Sequence, residues 1–237
     1  MPLLPGSLRR PALVLLAACV AAIAVTGVRF PGYGLPGWLD ATFDPRIEAH
    51  LGQFPVVTNW LPDVGTLEPV AAMTLALVLV CAATRRWRGA ALAFVAVPTA
   101  IGLTEYVLKP SIGEAIGQGF PSGHATSMFA LAASFAVLLA NPPRRVPAGI
   151  RLLLVLLAVL MATAVAAAMV AIGAHTFSDA VGGAAVGVGV VLACALTLDA
   201  LGSLLRPEPA VPPPPAARPT AERLAGSQVQ PQPPTRS

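Results

Sequence analysis

Two short stretches of the sequence combine residue types that can do nucleophilic and acid–base chemistry. FPSGHAT spans residues 120–126 and GAHTFSD spans residues 173–179, and each lies at the edge of a long apolar run. A histidine is costly where lipid is its only neighbour, so His124 and His175 at these edges indicate a functional site. For either histidine alone, an incidental position near a membrane surface is the competing interpretation.

The first stretch reads as the start of a helix that can bind an anion. Free backbone N–H groups and the positive end of the helix dipole favour an anion at a helix N-terminus. Gly123 has no Cβ to obstruct an approaching group, and the Ser122 hydroxyl can add a donor. The sequence therefore predicts that Ser122 and Gly123 hold a phosphate oxygen, with His124 close enough to act on it.

The second stretch places a histidine and a carboxylate four residues apart. If a helix runs through this segment, His175 and Asp179 lie on one face. A carboxylate beside an imidazole orients the ring, fixes its tautomer and stabilises its charged form, which a nucleophile or base requires. Because Asp179 also falls in the first helical turn, simple capping is its alternative role.

Lys109 is the single lysine of the chain and lies at the end of the third apolar run. It could bind a phosphate as a point charge. It could equally be neutralised by Glu105, one helical turn earlier. The sequence leaves both roles open.

The composition indicates an integral membrane protein. Of 237 residues, 56% are hydrophobic and only 11% are charged, whereas soluble domains carry about 25% charged residues. The net charge of +4 comes from arginines in short loops, without the basic helix or aromatic-interleaved patch of a nucleic-acid-binding protein. Three cysteines, Cys19, Cys81 and Cys194, fall inside apolar runs and are expected to be buried thiols, not disulfides or metal ligands.

Six apolar runs predict an all-α bundle of six transmembrane helices. Each approaches the length of about 20 residues that spans a bilayer. Pro98 inside the third run is tolerated where neighbouring helices satisfy the freed carbonyl. Gly183 and Gly187 in the last run have the spacing of close helix packing. The runs are 11–28, 68–84, 89–108, 123–140, 150–173 and 179–201.

Arginines alternate between the loops in a way that predicts orientation. They precede the first run, separate the second from the third and the fourth from the fifth, and follow the sixth. By the positive-inside rule these segments and both termini are cytoplasmic. FPSGHAT and GAHTFSD then lie together on the opposite face of the plasma membrane, outside the cell or in the periplasm.

The flanking segments permit more than one interpretation. Residues 1–27 could be a cleaved signal peptide, or the first helix could be retained, which the apolar residues after Cys19 favour. Within the outer loop 29–67, DPRIEAHLG predicts a short interfacial helix with Asp44 as N-cap and Pro45 at its first position, serving as an anchor or as a cap over a site. The proline-rich tail 206–237 is predicted to be disordered, either solvated or partner-binding, and it follows the six-helix transmembrane domain 1–205.

FPSGHAT and GAHTFSDAVGG resemble the second and third motifs of the type-2 phosphatidic-acid phosphatase superfamily, which comprises six-helix membrane phosphatases. Lys109 in LKPSIGE matches the lysine that opens the first motif, and the resemblance covers about residues 70–200. It implies that His175 attacks phosphorus with support from Asp179, and that His124 protonates the leaving alkoxide. It further implies that Lys109, Ser122 and Gly123 hold the phosphate, with no cofactor or metal.

The resemblance implies two arginines that clamp the phosphate, one in the first motif and one in the third, and both are missing from this sequence, as is a further arginine often found in the first motif. The Arg-Pro end of the first motif and an arginine often found before it are replaced by Glu114, Ile116 and Gly117, and Ser-Arg of the third motif by Ala168 and Met169. One arginine at a phosphoryl-transfer site can contribute roughly 10³–10⁵ in rate. Arg29 or Arg46 of the outer loop could substitute.

The sequence therefore supports three functions. The first is a metal-independent phosphatase that hydrolyses a phosphomonoester or diphosphate of a lipid, with membrane lipids as its surroundings. The second is a catalytically degenerate relative that binds a lipid head group or a protein partner, and the missing arginines motivate it. The third is a small transporter, although the runs lack the broken, polar helices at mid-membrane that this function uses.

Overall fold

The computed structural model describes residues 2–28, 37–112, 119–141 and 146–205. Within these ranges the regular structure is helical and no β-strand occurs. Two π-helical turns, Val56–Trp60 and Thr104–Leu108, interrupt the α-helices. The α-helices are α1 Gly6–Val28, α2 Trp38–Leu51, α3 Leu61–Val64, α4 Leu67–Ala83, α5 Trp87–Leu103, α6 Lys109–Ile112, α7 Gly123–Ala140, α8 Ala148–Ala171 and α9 Phe177–Leu204.

The helices have the lengths and apolar composition of an integral membrane protein. In the described chain, five segments are long and apolar enough to cross a bilayer. A sixth is obtained if Val56–Val64 and α4, which meet at a bend of 53°, form one span. The all-α prediction is confirmed, and the six apolar runs coincide with long helices to within a few residues at most ends.

The helices α7 and α9 pack closely through small residues. A Cβ at Gly183 would lie 2.9 Å from the Ala125 Cβ, and a Cβ at Gly187 would lie 2.8 Å from the Ala130 nitrogen. Such distances leave no room for a side chain, so the predicted small-residue interface is confirmed. Because α7 and α9 begin with the two motif stretches, their close packing brings those stretches together. Helix α1 packs along α9, and α8 and α5 pack against α7.

The far ends of α7 and α9 are joined to the N-terminal segment and to arginines. The Asp199 carboxylate accepts hydrogen bonds from the Leu3 and Leu4 backbone nitrogens at 2.7 and 2.9 Å. The Arg88 guanidinium lies 3.6 Å from the same carboxylate, and Arg86 donates to the Leu138 carbonyl at 2.8 Å. The segment before α1 is thus held at the end of α9, and the retention of α1 stays a prediction. The side of the membrane that this end faces stays a prediction.

Helix α2 differs from its predicted form. The sequence placed the helix start at Asp44, but α2 begins at Trp38 with Gly37 as N-cap, so Asp44 and Pro45 lie inside the helix. The prediction failed because the Asp44 carboxylate does not cap its own helix; it accepts a hydrogen bond from the Phe177 nitrogen at 2.8 Å. Helix α2 packs against α8 and α9.

Several predictions concern residues outside the described ranges. They include the proline-rich tail 206–237, Arg29 of the outer loop, and the positions of the first family motif at Glu114, Ile116 and Gly117. These predictions are neither confirmed nor contradicted.

Candidate functional site

A cavity of 540 Å³ lies where α7 and α9 begin. Four of the residues singled out from the sequence line it together, namely Lys109, Gly123, His124 and His175. The wall is completed by Gly65, Thr66, Leu67, Val70, Ile101, Glu105, Tyr106 and Ser127. The expected convergence of the two histidine stretches is therefore observed.

Ser122 does not line the cavity itself but caps α7, whose first residue does. Ser122 is fully buried, and its hydroxyl caps α7 by accepting a hydrogen bond from the Ala125 nitrogen at 3.4 Å. Its backbone nitrogen donates to the Asp179 carbonyl at 3.0 Å. The backbone bond fixes the start of α7 against the start of α9, and Gly123, the next residue, reaches the cavity wall.

His175 and Asp179 form the predicted pair, but α9 begins only at Phe177, so His175 precedes the helix and does not share a helical face with Asp179. The Nδ1 atom of His175 lies 3.3 Å from Asp179 Oδ2, and their side chains are only 11% and 6% exposed. The same carboxylate accepts from the Thr176 nitrogen at 3.2 Å, and the Thr176 hydroxyl accepts from the Asp179 nitrogen at 3.3 Å, which is a capping box. Asp179 thus has both of the roles that the sequence allowed, because it caps α9 and also contacts the imidazole of His175.

The backbone of His175 is held by the end of α8. The Met169 carbonyl accepts hydrogen bonds from the Ala174 and His175 nitrogens at 3.0 and 3.2 Å. Gly173, which precedes Ala174, has φ of +68°, a conformation that glycine adopts without steric cost. Met169, at the position of a family arginine, is 7% exposed and is not among the described residues that line the cavity.

Two carboxylates of α2 hold the first turn of α9, and sequence reasoning missed both contacts. Asp40, which is 1% exposed, accepts from the Ser178 nitrogen and from the Ser178 hydroxyl, each at 2.8 Å. Asp44 accepts from the Phe177 nitrogen, and the Phe43 and Phe177 rings stack with centroids 4.6 Å apart. Unpaired N–H groups at a helix start attract carboxylates, but nothing local in the sequence identifies which ones.

Burial raises the pKa of Asp44 to about 6. The negative charges of Asp40, Glu48 and Asp179 act in the same direction, while the hydrogen bond from Phe177 lowers the pKa and only partly offsets them. Asp44 therefore changes charge in the pH range where enzymes are commonly assayed.

Lys109 is paired with Glu105 inside the cavity. The Lys109 Nζ atom lies 2.7 Å from both carboxylate oxygens of Glu105. Glu105 belongs to the π-helical turn Thr104–Leu108 that precedes Lys109, and its neighbour Thr104 is buried against Thr126 of α7, with hydroxyl oxygens 3.0 Å apart. Of the two roles that the sequence left open for Lys109, the ion pair is the one that this structure contains.

The His124 ring packs against the bend that joins α3 to α4. A Cβ at Gly65 would lie 2.8 Å from His124 Cδ2. The Ser127 hydroxyl, one turn further along α7, lies 3.0 Å from the His124 carbonyl and 3.4 Å from the Gly65 carbonyl. Gly65 is thus a site residue that the sequence analysis missed, although a glycine between two predicted segments was the available signal.

The cavity has few cations among its described residues. Among the residues that the structure describes, Lys109 is the only lysine or arginine in the wall, and the candidate substitute Arg46 is exposed on α2 and does not line it. In the described part of the chain, no group of three or more histidine, cysteine, aspartate or glutamate side chains is arranged to hold a metal ion.

Comparison with known proteins gives one match. Residues 103–202 match the family model of the PAP2 superfamily, and this range contains Lys109, both histidines and Asp179. No curated protein and no solved structure matches the chain. Members of this superfamily are generally phosphatases, and the match suggests a phosphatase-type membrane protein, in accord with the apolar helices. The match over residues 103–202 supports membership of the type-2 phosphatidic acid phosphatase superfamily.

Proposed function

We propose that this protein hydrolyses a phosphomonoester or diphosphate of a lipid through a phosphohistidine intermediate, without a metal ion. The observation that carries the proposal is the His175–Asp179 pair at 3.3 Å in a cavity also lined by His124 and Lys109. This arrangement supplies a supported nucleophile, a second proton-transfer group and a cation.

The first chemical step forms a phosphorus–nitrogen bond. Asp179 accepts a hydrogen bond from the His175 Nδ1–H, which leaves the lone pair on Nε2 for attack on phosphorus. As the bond to the lipid oxygen breaks, His124 donates a proton to that oxygen and the lipid leaves as an alcohol. When the substrate is a diphosphate, the leaving group is the remaining lipid phosphate.

The second step regenerates the enzyme. His124, now neutral, takes a proton from a water molecule, and the water oxygen attacks phosphorus. The phosphorus–nitrogen bond breaks, the electron pair returns to His175, and inorganic phosphate is released. Lys109 and the start of α7 at Gly123 hold the phosphate oxygens in both steps, with Ser122 fixing that helix start.

An apolar groove supports a lipid as the substrate. The groove, of 340 Å³, lies between α4 and α5 and shares Leu67, Val70, Ile101 and Tyr106 with the cavity. A substrate with its phosphate between the histidines can therefore place an apolar chain along the helices. By the positive-inside argument the reaction takes place at the extracytoplasmic face of the cell membrane.

The second candidate function is a degenerate relative that binds a lipid head group or a protein partner without turnover. The observation that favours it is the scarcity of cations: Met169 replaces an arginine, and the cavity lysine is already paired with Glu105. Lipid binding that survives His175→Ala, in a protein without turnover, would support this function.

The deciding experiment measures phosphate release by the purified protein in mixed micelles with a chelator present. The substrates are a panel of lipid phosphates and diphosphates. We expect His175→Ala to abolish release and His124→Ala to reduce it by roughly 10²–10⁴-fold. His50→Ala, which alters an exposed histidine of α2 outside the cavity, is the matched control and should retain turnover. Wild-type turnover in both cavity variants would disprove the mechanism.

A further inference from the structure

The Glu105 carboxylate lies against the start of α7, where the proposed function places a phosphate oxygen. A Cβ at Gly123 would lie 2.5 Å from Glu105 Oε1 and 3.7 Å from Lys109 Nζ. The space left by the missing side chain of Gly123 is therefore filled by an anion that belongs to the protein itself. The same carboxylate contacts the Lys109 ammonium through both oxygens.

The surrounding backbone gives Glu105 this position. It lies in the π-helical turn Thr104–Leu108, and π-helical turns within α-helices are often found at functional sites. Thr104 is fully buried and contacts Thr126 of α7, so the turn is fixed against the helix whose start forms the anion site. The Glu105 side chain is 37% exposed and the Lys109 side chain 22%, so the pair faces the cavity and is not sealed in the core.

From these contacts we infer that Glu105 is a specificity-determining residue that occupies the phosphate subsite as an internal anion and must be displaced by the substrate. The inference rests on the proposed phosphatase function. With two of its three N–H donors directed at Glu105, the Lys109 ammonium has one left for a phosphate, so a substrate that needs more of them must weaken the ion pair and loses affinity. A carboxylate that stays in the cavity also repels the incoming phosphate.

The charge balance of the cavity predicts which substrates this residue disfavours. Among the described lining residues, Lys109 contributes one positive charge and Glu105 one negative charge, so their sum is zero when the histidines are neutral. Each extra negative charge on the substrate therefore meets repulsion from Glu105 without a second lysine or arginine from these residues. Glu105 selects for a phosphomonoester over a diphosphate.

The test compares the wild type with Glu105→Gln, which keeps the side-chain shape and removes the charge. Binding of orthovanadate, a tetrahedral anion, is measured by calorimetry on the full-length protein in detergent. We expect Glu105→Gln to bind orthovanadate about tenfold more tightly, because Lys109 is released and a like charge is removed. Glu68→Gln, an exposed carboxylate on α4 that does not line the cavity, is the matched control and should bind as the wild type does.

Turnover gives the second readout. In Glu105→Gln the KM for a lipid diphosphate should fall by a larger factor than the KM for the corresponding monophosphate, while kcat for the monophosphate changes little. Glu105→Ala, which also frees Lys109, should show the same direction and serves if the glutamine variant does not fold. Unchanged or weaker orthovanadate binding in both variants, or no binding by any of the proteins, overturns the inference.

The two proposals fail in different ways. A wild type that releases no phosphate from any substrate contradicts the proposed function, whereas tighter orthovanadate binding by Glu105→Gln would still show that Glu105 occupies the anion site. Conversely, a wild type with turnover and a Glu105→Gln variant with raised KM values would confirm the phosphatase and make Glu105 a residue that holds Lys109 in place for the substrate.

Discussion

The carboxylate of Asp40 holds Ser178 by two hydrogen bonds, one from its backbone nitrogen and one from its hydroxyl, each 2.8 Å long. The two residues are 138 positions apart in the chain. Asp179, which contacts His175, is the next residue after Ser178. The bond between Asp40 and Ser178 therefore connects α2 to Asp179, the residue that supports the candidate nucleophile.

Replacing Asp40 with alanine should destabilise the protein. The change leaves the buried Ser178 donors without their acceptor, and one unsatisfied buried donor costs about 1–3 kcal/mol. Thermal unfolding in detergent measures the loss, with Asp63→Ala, an exposed carboxylate on α3, as control. Because Asp40 positions the helix start and does not touch the cavity, kcat should fall more than KM rises. Equal stability of the two variants would contradict this role.

Asp44 should make stability depend on pH between about 4 and 6. Its pKa is raised from 3.8 to about 6 in the folded protein, so the folded state keeps a proton that the unfolded state has lost. The stabilising effect of that proton is complete below pH 4 and is lost as pH rises through 6. Asp44→Asn lacks this titration, so between pH 4 and 6 the unfolding temperature of the wild type should fall relative to that of the variant. Above pH 7 the difference between the two unfolding temperatures should stay constant.

If the stability difference between the wild type and Asp44→Asn does not change between pH 4 and 7, the raised pKa of Asp44 is wrong. The backbone bond from Phe177 gives no alternative source for such a difference, since an asparagine oxygen can accept it at every pH.

Short-range patterns were sufficient to predict much of the fold and the centre of the site. Apolar runs of bilayer length predicted the long helices, and the four-residue spacing of His175 and Asp179 predicted their contact. The proximity of this pair to His124 was predicted from the number of membrane spans between the two stretches. That number places both stretches at the same end of the bundle, where they can form one site. These features depend on residues close together in the sequence or on the alternation of successive loops between the two ends of the bundle.

The contacts that the sequence did not predict join residues far apart. Asp40 and Asp44 act on α9 across more than 130 positions, and local capping rules assigned Asp44 to its own helix instead. The role of Lys109 was undecided for a related reason: whether Glu105 faces it depends on the π-helical turn, which changes the direction of side chains without a clear sequence signal.

Asp179→Asn separates the two roles of Asp179. An asparagine oxygen can still accept the Thr176 backbone bond, but it cannot stabilise a positively charged His175. We expect kcat to fall by roughly 10²-fold or more with a small change in thermal stability. Thr176→Ala is the converse control, since it removes the other half of the capping box and should cost about 1 kcal/mol of stability. A variant Asp179→Asn with wild-type kcat would leave Asp179 as a cap alone.

Gly183→Ala should disturb both the packing of α9 on α7 and the link between the two motif stretches. The new Cβ would meet the Ser122 carbonyl and lie 2.9 Å from the Ala125 Cβ, and overpacking of this kind costs about 1–3 kcal/mol. Thermal unfolding of Gly149→Ala gives the comparison, because a Cβ there meets nothing within 4 Å. Equal unfolding temperatures in the two variants would show that α7 and α9 can separate without penalty.

Gly65→Ala tests the proposed role of His124 without changing that residue. The new Cβ would lie 2.8 Å from His124 Cδ2 and 2.7 Å from Val165 Cγ1, so the imidazole must move away from its position in the cavity. If His124 protonates the leaving oxygen, release from a lipid phosphate should fall by about 10²-fold. Release from p-nitrophenyl phosphate should fall much less, because its phenolate leaves without protonation. An equal loss with both substrates would indicate general distortion of the site, and the assignment of His124 as the general acid would then fail.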